Sequence, residues 1–385
     1  MGGTISKILL VIITLVMPLM GYNQSVFNKA FDESNTANHT TNALEYLDHY
    51  YFTQKAFIGG AAVLQAVCLD SNGSIVKKEP IVIDSVKNIF YGYSGSLQRL
   101  TTNEFCQLYK TGGDSVLQMV FFDDSLEVTR SAVYPMNSFT GPCIVKQTDD
   151  STLLVLGQVS NPSYWDLVLI NTDLQGNERW RTVFGEAGKD DYGFSIEFID
   201  NHIFIGGQTY YTSNSIANSH IFKLNSQGQL LFDTIYSNLN NGGFMAYHED
   251  YGLYITGEKN NSNFRYPYLA QISYNDLSIT WEENYFTQDT LVSTQQMIIR
   301  DDGVITMSGG VLINNEFAGL FFQTNANGDS LGSKVLEHIP GERAAFTDIR
   351  PTSDGGYIMA GQTNAPTQDS WIVKVNAWGC DNIPC

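Results

Sequence analysis

Short apolar runs closed by a small residue and an amide, or a variant of that pair, recur along the chain at an almost constant interval. LLVLGQ reaches its glycine at Gly157, IFIGGQ at Gly207, LYITGE at Gly257, VITMSG at Gly309 and YIMAGQ at Gly361, so the marks lie 50, 50, 52 and 52 residues apart. A second apolar run follows about 19 residues later and ends in a turn: INTDLQG at Gly176, KLNSQG at Gly228, SYND at Asp276, QTNANG at Gly328 and VNAWG at Gly379. CLDSNG, ending at Gly73, and FFDDS, ending at Ser125, continue the register upstream, with YYFTQ near Thr53 and EFCQ near Cys106 as their companion runs. From Gly73 to Gly379 there are six intervals of 51 residues, which mark seven units. A fixed period of this length has to be read before any local element, because it decides the architecture.

Within a unit the runs are short, β-branched and aromatic, with Gly, Asn and Asp between them. The fourth unit reads as four strands over 193–199, 202–208, 220–224 and 230–236. No helical period competes outside the N-terminal run. Four strands in about 50 residues predict a propeller blade. The expected fold is therefore an all-β, seven-bladed β-propeller in which each thin sheet is buried by its neighbours. The last unit stops after its third strand. The stretch 22–31, YNQSVFNKAF, resembles the fourth-strand segment NERWRTVFGE at 177–186, so it is expected to complete the last blade and close the ring. That pairing covers two sheet edges that would otherwise be exposed; the alternative is an unpaired leader.

The N-terminus is organised differently. Lys7 is the only charge before residue 29, and 8–20, ILLVIITLVMPLM, is an apolar run of 13 residues broken by Pro18 and followed by Gly21. A membrane-spanning helix needs about 20 apolar residues. A basic residue, a short apolar stretch and a small residue are the pattern of a secretory signal. The expected division is a signal peptide over 1–21 and the propeller over 22–385, with the mature chain secreted, at the cell surface or in the periplasm and without a membrane span. An uncleaved anchor is the competing reading, and the absence of a Cys after the run argues against lipidation.

Composition narrows the function classes. The formal charge is −19, with 40 acidic against 21 basic residues. Such a chain lacks the Lys and Arg that displace counterions from phosphates, which excludes sequence-independent nucleic-acid binding. It also disfavours adhesion to anionic lipid.

The segments NERWRTVFGEAGKDDYGFSIEFID with IFIGGQT, and TSDGGYIMAGQTNAPTQDSWIVKVNAWGC, resemble the repeat of secreted bacterial β-propeller proteins, a kelch-like family associated with type IX secretion. The resemblance covers 140–380 well and 22–140 weakly. It implies a propeller and export, and it implies no activity. Members often carry a C-terminal sorting domain; this sequence ends at Cys385 without one, which departs from the pattern.

Five cysteines are present: Cys68, Cys106, Cys143, Cys380 and Cys385. An exported chain keeps disulfides. Cys380 and Cys385 flank the turn-like DNIP and are expected to bridge. Cys106 and Cys143, read onto inner strands of neighbouring units, either pair or are simply buried, and Cys68 reads as a core residue. No CxxC is present and no His lies beside a Cys, so no metal site and no cofactor are expected.

In a propeller the loops joining strands two to three, and strand four to the next strand one, share a face. Here they include 158–166, 208–219, 258–268 and 362–370, rich in amides and hydroxyls. Tyr164, Trp165, Tyr210, Tyr211, Phe264, Arg265 and Tyr266 on these loops are the candidate ligand-binding residues, since rigid rings give contact area at low entropic cost. Packing between blades is the alternative. Asp114, Asp166 and Asp369 recur just before third strands; they lack the spacing of a calcium loop and read as turn caps, as do Asp190 and Asp191. Aligning the units places Lys146, Glu197, His248 and Arg350 at one register on the inner strands, where they serve either as acid, base and anion clamp or as a mutual salt-bridge layer. No nucleophile elbow, phosphate loop or zincin pattern occurs, so no catalytic residue is assigned. The leading expectation is a monomeric, exported, non-catalytic binding or scaffold module for glycan or protein. A glycan-active hydrolase or lyase with its site at one channel mouth, and a ligand-free structural spacer, are the alternatives.

Overall fold

The computed structural model describes residues 25–31, 39–84, 89–91, 95–111, 116–136, 140–161, 163–210, 217–261, 264–286, 291–313, 316–364 and 368–382. The apolar run 8–20, Asp114, Tyr211 and Cys385 lie outside them, as do the side chains of Cys143 and Phe264. All regular structure among the described residues is antiparallel β, and no helix there is long and apolar enough to cross a membrane.

β1 (Phe27–Phe31) opens the series. β2 (His39–Tyr46), β3 (His49–Ile58), β4 (Ala61–Leu69) and β5 (Ile75–Asp84) form a four-stranded sheet in chain order. β6 (Ile89–Tyr91) and β7 (Leu97–Arg99) both pair with β8 (Phe105–Thr111), which continues to β9 (Val116–Phe122) and β10 (Val128–Pro135). β11 (Thr140–Asp149), β12 (Thr152–Ser160), β13 (Trp165–Thr172) and β14 (Glu178–Phe184) form the next sheet. β15 (Asp190–Ile199), β16 (His202–Tyr210), β17 (Ala217–Asn225), β18 (Leu230–His248), β19 (Gly252–Asn261), β20 (Phe264–Ile272) and β21 (Ile279–Asn284) join in one seven-stranded sheet. It is continuous because β18 runs for 19 residues, pairing first with β17 and then with β19. β22 (Val292–Ile299), β23 (Ile305–Ile313), β24 (Glu316–Thr324) and β25 (Ser330–Leu336) follow. β26 (Ala344–Pro351), β27 (Tyr357–Thr363) and β28 (Asp369–Val375) end the series, and the fourth strand of their sheet is β1, from Phe27↔Lys374 to Phe31↔Ser370.

Two local rules, repeated from unit to unit, explain the sequence period. The first is the turn between third and fourth strands. Asp173 Oδ1 accepts the amides of Gln175 and Asn177, and Asn225, Asn325 and Asn376 do the same for the residues two and four further on. Gly176, Gly228, Gly328 and Gly379 then take φ between 78 and 88°, a region that L side chains avoid. The second rule concerns the glycine of the GQ runs. The first strand of each unit breaks register opposite it, at Pro142/Ile144, Gly193/Ser195, Thr294/Gln296 and Phe346/Asp348. This bulge pushes a backbone carbonyl against the glycine: a Cβ on Gly207, Gly309 or Gly361 would overlap the carbonyl oxygen of Tyr192, Ser293 or Ala345.

Buried side chains gather in seven clusters among the described residues, each between neighbouring groups of strands. One of them joins Phe27, Ile358 and Ile372 of the last sheet to Tyr50, Phe52 and Val67 of the first. Fourth-strand aromatics cover turn glycines of the next unit: Trp180 on Gly228, Trp281 on Gly328, and Phe27 of β1 on Gly73.

Two expectations are corrected here, for strand limits and for Cys106. The strands of the fourth unit extend beyond the expected limits, most of all β18, which does not end at residue 236. Cys106 lies in β8, the middle of its sheet and not an inner strand, and its thiol is free and buried, so it does not pair with Cys143. Cys68 is likewise free and buried. Cys380 is disulfide-bonded, and the pairing expected for it with Cys385 involves a residue outside the described set.

Candidate functional site

First strands of successive sheets converge on a cavity of about 290 Å³. β11 supplies Ile144, Val145 and Lys146, β15 supplies Phe194 to Glu197, and β18, β22 and β26 supply Met245 to Tyr247, Gln296 to Ile299, and Arg350. The shared register is visible in the pairing with second strands: Lys146↔Leu154, Glu197↔Phe204, Ile298↔Thr306 and Arg350↔Ile358 lie three residues before their glycines. The equivalent residue in β18 is Ala246, opposite Tyr254, and not His248. The expectation for His248 fails by two residues: Ala246 stands 11 residues before Gly257, as Lys146 does before Gly157 and Arg350 before Gly361, whereas His248 stands 9 before it. Its ring lies outside the cavity, 3.4 Å from exposed Asp301.

The charges in the cavity are paired. Lys146 Nζ donates to Glu197 Oε2 at 2.6 Å and to the Ile196 carbonyl at 2.8 Å. Burial raises the Glu197 carboxyl above the usual range, and the Lys146 and Arg350 charges oppose that shift. Arg350 Nε donates to Asp348 Oδ2 at 3.2 Å. Asp348 is 1% exposed, its other oxygen has no partner, and burial raises its carboxyl too. The arrangement has the form of the expected salt-bridge layer, with Asp348 as a member that the sequence alignment did not single out.

The second candidate region is the rim at the starts of third strands. Ser160↔Trp165, Asp190↔Tyr210, Tyr210↔Ala217, Asn218↔Asn240 and Asn240↔Glu258 link it across three units. Trp165 is half-buried and its amide donates to Asp190 Oδ1 at 2.9 Å. Tyr210 packs edge-on against Tyr192 with ring centroids 5.3 Å apart, and its hydroxyl accepts from Gln208 Nε2 at 3.0 Å. Tyr164 and Tyr266 are half-buried, and Arg265 is exposed.

Under this rim lies a buried polar network. His220 is fully buried; Nε2 meets Asp233 Oδ2 at 2.7 Å and Nδ1 meets Thr209 Oγ1 at 2.7 Å, while Thr209 in turn bonds Asp191. Burial alone would lower the imidazole pKa, but the two carboxylates outweigh it and raise it. Asp191 Oδ2 also accepts the Glu186 amide at 2.7 Å, and Asp166 accepts from Asn161. Asp166 is raised by burial and then by the charge of Asp191. Asp166, Asp190 and Asp191 thus close loops through side-chain oxygen, as expected of turn residues. Asp369 is buried at the start of β28. Among the described residues no group of His, Cys, Asp and Glu is arranged to hold a metal.

Glu258 escaped the sequence reading, although one signal marked it: it replaces the glutamine of the GQ pair, which is Gln158, Gln208 and Gln362 in other units. It is 6% exposed, and burial lifts its carboxyl to about 7, with Arg265 Nη1 at 3.5 Å and Asn241 only partly opposing that rise. The folded state therefore holds a proton that the unfolded chain releases near pH 4.5. Stability associated with this group is fully present below 4.5 and is lost as pH rises through 7. Glu258→Gln is expected to track wild type at acidic pH and to be up to about 3 kcal/mol more stable at pH 8, from urea unfolding at both pH values.

No protein-family model matches the sequence, and neither does any curated protein. Solved structures do match in shape. An oligogalacturonate lyase in complex with manganese is similar with a TM-score of 0.55 and 11% identity, over 91% of this chain and 96% of that one. The β-propeller domain of the trilobed protease from Pyrococcus furiosus is similar with a TM-score of 0.52 and 8% identity, over 91% and 98%. The acylaminoacyl peptidase of Pyrococcus horikoshii is similar with a TM-score of 0.53 and 10% identity over 87% of this chain, which spans about half, 51%, of that enzyme. At such identities the likeness is one of fold: four-stranded antiparallel sheets arranged as a β-propeller.

Proposed function

We propose that this chain is an exported, non-catalytic propeller that binds carbohydrate through the rim formed by units three to five. The observation that carries this reading is the rim itself: half-buried rings at Trp165, Tyr192, Tyr210 and Tyr266 stand among Asp190, Gln208, Asn218, Asn240 and Arg265. Rings held by packing offer flat apolar faces, and neighbouring amides and carboxylates match sugar hydroxyls. The acid and base groups of the central cavity, by contrast, are engaged with one another. Export rests on the signal pattern at 1–21 and on the resemblance to secreted bacterial propeller repeats, with 22–385 as the mature, monomeric propeller.

Seven blades in a closed ring are part of the proposal. In its support, β18 serves as fourth strand to β17 and as first strand to β19, so the seven-stranded sheet counts as two blades. Seven clusters of buried side chains fit seven blade interfaces. The place of Phe27 on Gly73 repeats that of Trp180 on Gly228. A glycan array probed with the purified chain tests the function. Binding that Trp165→Ala and Tyr210→Ala each weaken by about tenfold is expected; variants that fold and bind as wild type would refute the rim. A second reading, a glycan-active enzyme, is favoured by one observation, the Glu258 carboxyl with its pKa near 7 at this rim. Turnover of an oligosaccharide that Glu258→Gln abolishes would establish it in place of the first.

A further inference from the structure

We infer that the cavity between the first strands is a binding site for a small organic molecule carrying one carboxylate, held by the open edge of the Arg350 guanidinium. The inference is independent of the rim. At about 290 Å³ the cavity has room for a single small molecule, close to the roughly 300 Å³ at which ligand pockets begin. Its wall offers apolar and polar surface in equal parts, with Tyr247, Ile298 and Ile299 beside Lys146, Glu197 and Arg350. Apolar surface beside convergent polar groups suits a small organic ligand with a polar end.

Among the charged groups of the lining Arg350 has the most capacity to spare. Its Nε is engaged by Asp348, which fixes the plane of the guanidinium. Both Nη nitrogens are without a hydrogen-bond partner among the described residues, and the side chain is 31% exposed to the cavity. Two parallel N–H groups on one planar edge match the two oxygens of a carboxylate. Lys146 offers the anion at most one further proton, since Glu197 and the Ile196 carbonyl take two of its three. The negative charge of Glu197 is met by Lys146 at 2.6 Å, and Asp348 is 1% exposed behind Arg350, so neither presents an unanswered charge to the ligand. The apolar half of the wall, with Tyr247, Ile298 and Ile299, then favours an organic carboxylate over a hydrated inorganic anion, because burying apolar surface adds to the charge pairing.

Calorimetric titration of the purified chain with benzoate and with hexanoate tests this, with benzyl alcohol, 1-hexanol and inorganic sulfate as comparisons. Saturable one-to-one binding of a carboxylate is expected, with the matching alcohol and sulfate weaker by about tenfold or more. Arg350→Gln should lose about tenfold in affinity, and Arg350→Lys should lose less. Ile298→Trp fills the cavity and leaves the Arg350–Asp348 pair in place, so it should abolish binding in a chain that still melts cooperatively. That variant decides the matter if Arg350→Gln fails to fold with Asp348 left unpaired. The inference is overturned if neither carboxylate binds in the millimolar range, if sulfate binds as well as hexanoate, or if a folded Ile298→Trp binds as wild type does.

Discussion

Gly309→Ala is expected to destabilise the protein by about 3 kcal/mol or more, whereas Gly310→Ala, one residue on in the same strand, costs under about 1 kcal/mol. The two glycines are adjacent in the middle of β23, so composition and propensity treat them alike. The bulge at Thr294/Gln296 separates them. It drives the Ser293 carbonyl against the Cα of Gly309, where an added methyl would overlap backbone that cannot swing aside. Around Gly310 the nearest atoms to an added methyl are the Phe317 ring at 3.3 Å and the Ala345 side chain at 3.4 Å, which can give way slightly. A methyl there also removes backbone freedom from the unfolded chain, which favours folding. Chemical denaturation of both variants checks the contrast. Equal stabilities would mean that the recurring glycine has some purpose other than accommodating the bulge.

Removing β1 should have the largest effect on the molecule as a whole: a chain lacking residues 27–31 is expected to lose cooperative melting and to aggregate. β28 would be left with an unpaired edge along Ser370 to Lys374, flanked by the buried Trp371 and Ile372. Specific contacts would go with it. Asn28 Oδ1 accepts from Trp371 Nε1 at 2.7 Å, and its Nδ2 donates to the Glu337 carbonyl at 2.9 Å and to Asp381 at 2.8 Å. Phe27 packs edge-on against Tyr50 at 5.5 Å, across to the first sheet. Phe27→Ala, a milder probe, should cost about 3 kcal/mol, since it opens a cavity between the first and last sheets. Calorimetry and light scattering report both. Unchanged melting of the truncated chain would show that β1 only decorates the last sheet.

The repeating marks in the sequence fell where the structure turns and bulges. The glycines after INTDLQ and KLNSQ do sit at positive φ behind an Asx cap, and those of the GQ runs do face a displaced carbonyl. Such features are legible because each is settled within one hairpin. Register along the inner strands was legible for Lys146, Glu197 and Arg350 and illegible for His248, because bulges and hairpins of differing length together set the spacing between an inner-strand residue and its glycine. Glu258, Asp348 and His220 were not legible as perturbed groups. Their properties come from burial and from partners on other strands: Asp191 and Asp233 reach His220 from β15 and β18, and Ala43 donates to Asp348 from a position 305 residues away.

From its sequence alone this protein was bound to be an array of short antiparallel strands with a period near 51 residues, since strand, turn and bulge chemistry act over a few residues and repeat with the unit. Which groups are stripped of water, which charges meet and which arginine edge is left unsatisfied were decided only by tertiary structure. Desolvation and ion pairing depend on atoms brought together from separate sheets, and no spacing along the chain encodes those distances.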